Sequence, residues 1–191
     1  MIESLNDSYV DKFNGKLEVL PVFRGETTWQ VKLEVLHDVM AALKADGFNY
    51  LVDVSSVDNF GEEPRFDMVY ELCNYSSTEN LRVKCTVSED DCNVPTVSDL
   101  WSTAEWHERE VYDMMGIQFT NHPDLRRILM WDGYPFFPLR KDFPLEGKET
   151  DMPDIAFTRP APLEGGPFVT SPASAASHAA EPRAKDFEDR G

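Results

Sequence analysis

The strictest constraint on this chain is a period-two pattern near its middle: Leu81, Val83, Cys85 and Val87 alternate with Arg82, Lys84 and Thr86. Side chains of a strand point to opposite faces in turn, so one face of this segment is buried and the other is wetter. Two more runs rich in β-branched and apolar residues precede it, Tyr50 to Val57 and Phe66 to Leu72, with turn-rich segments between. Three successive strands in an antiparallel meander is the simplest arrangement, and helices then need cover only one of its faces. Upstream, Ile2, Leu5, Tyr9 and Phe13 recur at helical spacing and meet a stop at Asn14-Gly15. Leu17 to Phe23 and Thr27 to Val31 read as β segments around an Arg24-Gly25 turn, with Pro21 pushing the first towards an edge. Leu36, Val39, Met40 and Leu43 predict a second helix that stops at Gly47, and Val97 to Met115 predicts a third, in one piece or two, ending at Gly116. Helices and strands in separate blocks make this an α+β chain: a two-layer domain with a mainly antiparallel sheet covered by helices, followed by an extended C-terminal arm.

The arm is inferred from the residues beyond Gly116, where regular periodicity ends. Prolines gather late in the chain, at Pro153, Pro160, Pro162 and Pro167, and Ser171 to Ser177 is a biased run of small residues. Such a composition cannot build its own core. The expected organisation is an α+β domain over 1–120, an extended partner-binding arm over 121–170 and a flexible tail over 171–191.

With 35 acidic against 18 basic residues, the formal charge of −17 repels phosphate backbones and anionic headgroups, which argues against nucleic acid and direct lipid contact. No apolar run reaches the ~18 residues of a membrane span, and the first residues lack the basic and apolar regions of a signal peptide, so a cytoplasmic location without a transmembrane segment is expected. The cysteines, Cys73, Cys85 and Cys92, form no C-x-x-C pair, and an iron–sulfur or zinc site usually needs about four closely spaced ligands. Reduced thiols used in packing are the expectation, with no cofactor or metal held by this chain.

Three polar clusters stand out. In the first, Glu105 to Asp113, a helix would place Glu105, Arg109 and Asp113 along one face, either as a salt-bridged surface or as an interface anchor beside Trp106 and Tyr112. Arg109 bridging carboxylates in a partly buried site is the specific expectation. No H-x-x-x-H, H-E-x-x-H or G-x-S-x-G arrangement is present, so no catalytic residue is assigned. The second, His122 to Met130, sets Arg126 and Arg127 beside apolar residues in an otherwise acidic chain, which suits docking on an acidic patch. The third, Pro138 to Leu145, presents Arg140, Lys141 and Asp142 between prolines that favour extended backbone.

Taken in order, Tyr50-Leu51-Val52-Asp53-Val54, Val57-Asp58, Glu108-Arg109-Glu110-Val111-Tyr112-Asp113-Met114-Met115-Gly116-Ile117, His122-Pro123-Asp124-Leu125-Arg126-Arg127-Ile128-Leu129 and Pro138-Leu139-Arg140-Lys141-Asp142-Phe143-Pro144 resemble the signature of the thirty-kilodalton subunit of respiratory complex I, also called its C subunit. The resemblance spans roughly residues 17 to 147. It implies a non-catalytic structural subunit of the peripheral arm of a proton-translocating NADH:quinone oxidoreductase, peripheral on the cytoplasmic side of the inner membrane. Partners would be the D subunit, which resembles a hydrogenase large subunit, and the B and I subunits. FMN and the iron–sulfur clusters would belong to partner subunits. The corresponding subunit of a related membrane-bound hydrogenase or ferredoxin-linked complex is the alternative. Under this resemblance Glu108, Arg109, Glu110, Asp113, His122, Asp124, Arg126, Arg127, Arg140, Lys141 and Asp142 become candidate interface or structural residues.

Overall fold

The structure is a computed structural model and describes residues 2–148. In chain order the elements are α1 (Ile2–Lys12), β1 (Leu17–Val19), β2 (Thr27–Val31), a single 3-10 turn (Leu33–Val35), α2 (Leu36–Ala45), β3 (Tyr50–Asp58), β4 (Phe66–Asn74), β5 (Glu79–Val87), β6 (Asn93–Pro95), α3 (Ala104–Met115) and β7 (Gln118–Thr120). The fold is α+β with a mostly antiparallel sheet, as the alternation implied.

The five-stranded sheet runs β1-β2-β5-β4-β3. β3, β4 and β5 form the expected meander, and the register sets Met68 opposite Cys85, Tyr70 opposite Val83 and Leu72 opposite Leu81, all buried on one face. The opposite face carries the pairs Asp67 with Thr86 and Glu71 with Arg82, where the Arg82 guanidinium bridges Glu71 and Glu26. β1 and β2 form a hairpin whose turn places Arg24 at φ 52° and Gly25 at φ 82°. Two successive residues at positive φ match the twist of paired strands, and glycine adopts that region at no steric cost. β2 then joins β5 in parallel, so the chain crosses from the β2 side of the sheet to its far edge before β3 begins.

Helices α1 and α2 supply Tyr9, Leu36, Val39, Met40 and Leu43 to the core around Trp29. Each large apolar side chain so enclosed is worth roughly 1.5–3 kcal/mol over exposure. Polar ends are satisfied within the packing: the Trp29 indole N–H donates to Asn6 at 2.8 Å and the Tyr9 hydroxyl to Asp46 at 2.6 Å. Burial and the Asp46 carboxylate together drive the Tyr9 hydroxyl pKa upward.

Three expectations change. The helix predicted from Val97 starts at Ala104, and the residues before it form hydrogen-bonded turns, such as Trp101 N–H to the Val97 carbonyl at 2.9 Å. β6 and β7 are additional to the elements that the spacing predicts. They pair in parallel, with Asn93, Val94 and Pro95 opposite Gln118, Phe119 and Thr120. The domain also does not end near residue 120, because the first compact unit of the chain extends to Asp142. Residues 121–142, expected in the arm, therefore belong to the first unit. Beyond it the described residues are 143–148, where the Gly147 N–H donates to the Pro144 carbonyl at 3.0 Å and Lys148 lies over the Phe143 ring. The rest of the expected arm, from residue 149, and the tail at 171–191 lie outside the described residues.

Candidate functional site

Helix α3 organises the charged residues picked out in the sequence. It ends at Gly116, whose φ of 78° suits glycine and whose missing side chain makes room for its neighbours. A Cβ there would stand 2.6 Å from Phe137 Cε2 and 2.8 Å from Arg140 Nη2. Of the helix's charged residues, Glu108, Arg109 and Asp113 are buried, and Glu110 is exposed.

Glu108 accepts the Val97 N–H at 2.8 Å on Oε1 and the Thr96 hydroxyl on Oε2, which joins α3 to the end of β6. Among the described residues it forms no ion pair with Lys or Arg. Burial is the dominant influence and raises its pKa to about 7, against the two hydrogen bonds, with Asp99 adding to the rise. His122 Nε2 lies 3.8 Å from Oε2. Because His122 Nδ1 accepts the Asp124 N–H, Nε2 carries the hydrogen and donates it to the Glu105 carbonyl at 3.1 Å. The imidazole thus pins the loop after β7 to the start of α3.

Asp113 is the anchor of the next loop. Its Oδ2 accepts three successive backbone N–H groups, from Ile128 at 3.0 Å, Leu129 at 2.7 Å and Met130 at 2.8 Å, and its Oδ1 accepts from Arg127. Burial alone would raise the carboxyl pKa, yet these donors together bring it below its ordinary value. Arg127 continues to the carbonyls of Asp113 and Phe136 and lies over the rings of Tyr134 and Phe137. One charge pair thereby fixes residues 127–137 against α3.

Arg109 does not bridge carboxylates as expected. Its Nε donates to the Arg126 carbonyl at 3.1 Å and its Nη2 to the Arg127 carbonyl at 3.2 Å, with the guanidinium over Trp106 at 5.1 Å. The reason is geometric: Asp113, one turn on, is already filled by Arg127 and the three N–H groups. Arg126, with Asp124 as its partner at 2.8 Å, stays at the surface.

A second junction ties the segment from Pro138 to Asp142 to the sheet. Asp58, at the end of β3, and Arg65, just before β4, form a two-pronged pair at 2.8 Å on each prong, with side chains only 1% and 3% exposed. Arg65 also reaches Glu89 and Asp142, each at 2.7 Å, and lies over Phe60 and Phe66. Asp58 Oδ2 accepts the Lys141 backbone N–H at 2.7 Å as well, and the Arg65 hydrogen bonds hold the Asp58 carboxyl below its ordinary pKa. Arg140 donates to the Met115 carbonyl at 2.6 Å, sits between the rings of Phe66 and Phe137 and approaches Glu89 at 3.6 Å. Lys141 thus contributes its backbone to the junction, while Asp142 contributes its carboxylate.

Comparison with known proteins places this chain in a family. The model of the respiratory-chain NADH dehydrogenase 30 kDa subunit matches residues 29–149. The chain belongs to that family. It is 48% identical over 139 residues to the NADH-quinone oxidoreductase C subunit of Geobacter metallireducens, covering 72% of this chain and 86% of that relative. It is 40% identical over 158 residues to the C 2 subunit of the same enzyme class from Rhizobium meliloti, covering 81% and 86%. Among solved structures, a trypsin-resistant fragment of Nqo5 superposes with a TM-score of 0.60 at 33% identity, covering 65% of this chain and 98% of that fragment. A chain of an archaeal membrane-bound sulfane sulfur reductase shares the fold, with a TM-score of 0.65 at 24% identity over 75% of this chain and 85% of that one. The protein is thus a subunit of the NADH-quinone oxidoreductase class.

Sequence reasoning missed Arg65, Glu89 and Thr96, and it reached Asp58 only as part of a motif. The signal that could have found the pair was two opposite charges, Asp58 and Arg65, at the facing ends of one predicted hairpin. Among the described residues there is no group of three or more His, Cys, Asp or Glu arranged to hold a metal, and no helix is long and apolar enough to cross a membrane. The buried charges at both junctions are engaged by backbone or by partner side chains of the same chain. What this geometry does is fasten loops: residues 122–142 are locked onto α3 and the β3–β4 hairpin.

Proposed function

We propose that this chain is a non-catalytic positioning subunit in the peripheral arm of a proton-translocating NADH:quinone oxidoreductase, where electrons pass from NADH through FMN and iron–sulfur clusters to quinone. On this reading it holds no cofactor and lies on the cytoplasmic side of the membrane against the D, B and I subunits. The observation that carries the reading is the pair of buried charge junctions, which stiffen a long irregular segment instead of opening a reactive cleft. Stiffness matters for such a role because a displacement of ~1 Å between reacting partners can lower a rate by about 10²-fold. Identities of 40–48% with NADH-quinone oxidoreductase subunits support the quinone-linked complex over a hydrogenase or ferredoxin-linked relative. The existence of a trypsin-resistant Nqo5 fragment with this fold supports a first unit that stands alone.

The test is purification of the tagged chain with its complex and, separately, alone. In the complex, NADH should reduce quinone, with the D, B and I subunits recovered at equal stoichiometry. The isolated chain, purified anaerobically, should show neither flavin absorption nor stoichiometric iron. Either signal in the isolated chain overturns the cofactor-free reading, and reduction driven by ferredoxin but not NADH moves the chain to the alternative complex.

A further inference from the structure

β3 is the last strand of its sheet and pairs with β4 alone, so the outward backbone edge of Tyr50–Asp58 has no strand beside it among the described residues. The register of β3 shifts between Leu51 and Asp53, which leaves Asp53–Asp58 as a regular open edge, a template for another chain. Alongside it, α3 leaves a cleft of about 140 Å³, lined by residues 53–56 of the strand, by Glu110, Val111 and Met114 of the helix and by Leu139. Its floor is apolar, because Val54, Val111 and Met114 are buried. Its rim is acidic. Asp53 and Glu110 line it, no Lys or Arg among the described residues does, and the basic neighbour of Asp53 is His107 at 3.2 Å. Leu139, which lines the cleft, and Val52, next in the chain to Asp53, are 57% and 45% exposed.

We propose that this cleft is a docking groove for an extended segment of a partner subunit, which adds a strand to the free edge of β3 and sets a Lys or Arg between Asp53 and Glu110. The inference rests on the positioning role proposed above and names the surface through which it acts. Strand addition supplies backbone hydrogen bonds, while the apolar floor and acidic rim select the side chains. Charge decides between occupants. A second copy of this chain, itself at −17, would bring a like-charged rim against Asp53 and Glu110, and an anionic lipid surface would be repelled in the same way. A basic partner segment is attracted.

A photo-crosslinking amino acid placed at Val52 in the assembled complex tests this, with the same residue at Phe23, exposed just after β1 at the opposite edge of the sheet, as the control. The expected product is a covalent link from position 52 to one partner peptide that contains Lys or Arg. Glu110→Lys should in addition lower recovery of the chain with the complex by about tenfold at low salt, while the isolated variant keeps its unfolding midpoint. Recovery with the complex but no link at position 52, a link to a second copy of the chain, or undiminished recovery of Glu110→Lys each overturns the groove. Failure of the unmodified chain to co-purify with any complex overturns the positioning role itself and the groove with it.

Discussion

Glu108 and Asp113 are both buried carboxylates on α3, yet their surroundings push them in opposite directions. Asp113 faces Arg127 and three backbone N–H groups, whereas Glu108 has a hydroxyl, one N–H and the His122 imidazole at 3.8 Å. The effect on stability is a matter of linkage. An acid whose folded pKa is raised binds its proton more tightly when folded, so its stabilising contribution is complete below the unfolded value of 4.5 and is lost as pH rises through about 7. Glu108→Gln removes the titration and keeps an acceptor for the Val97 N–H. The unfolding free energy of Glu108→Gln relative to the native chain should therefore drift in favour of Gln by up to about 3 kcal/mol between pH 4.5 and pH 8, following ~1.4 kcal/mol per pKa unit. Denaturant titrations at several pH values measure it, and a constant difference would mean that Glu108 titrates normally. The sequence showed that Glu105, Arg109 and Asp113 share a helix face. It could not show which carboxylate is buried, because the deciding donors sit in a loop with no periodicity.

At the level of elements, the hairpin from β3 to β4 closes on the Asp58–Arg65 pair, and the same pair receives the Lys141 N–H and Asp142. Removing one partner leaves the other charge buried and unpaired, which is costlier than removing both. Arg65→Met should destabilise the chain by about 3–5 kcal/mol, and Asp58→Leu added to it should recover a large part of that loss. Chemical denaturation of the native chain, the single variant and the double variant decides the matter; additive losses would show that the pair is not coupled. Helices α1 and α2 and strands β2 to β5 were legible because local apolar spacing reports directly on burial. The parallel contact of β2 with β5 was not, since period-two alternation is the same for parallel and antiparallel neighbours. β6 and β7 are too short for a pattern, and Val97 to Thr103 kept helical spacing because its residues face the core through turns instead of a helix.

For the whole molecule, the division at Asp142 changes what the C-terminal segment can be asked to do. Every buried apolar residue among the described residues lies between Ile2 and Tyr134. The irregular stretch after Gly116 reads as an arm in the sequence because a loop held by charge looks the same as a loop awaiting a partner; Asp113, Asp58 and Arg65 supply the order that periodicity would otherwise reveal. The proline-rich sequence from Pro153 to Pro167 has a composition that suits binding along a partner's surface. Truncation after Gly147 keeps Asp142 and both junctions. The shortened chain should therefore unfold at nearly the midpoint of the full one, while its co-purification with the D subunit and the quinone reductase activity of the complex should fall. Thermal unfolding of the isolated truncated chain and its recovery on a tagged D subunit are the two measurements. A large drop in the midpoint would assign the removed residues to the core, and undiminished recovery with the D subunit would show that assembly runs through the first unit alone.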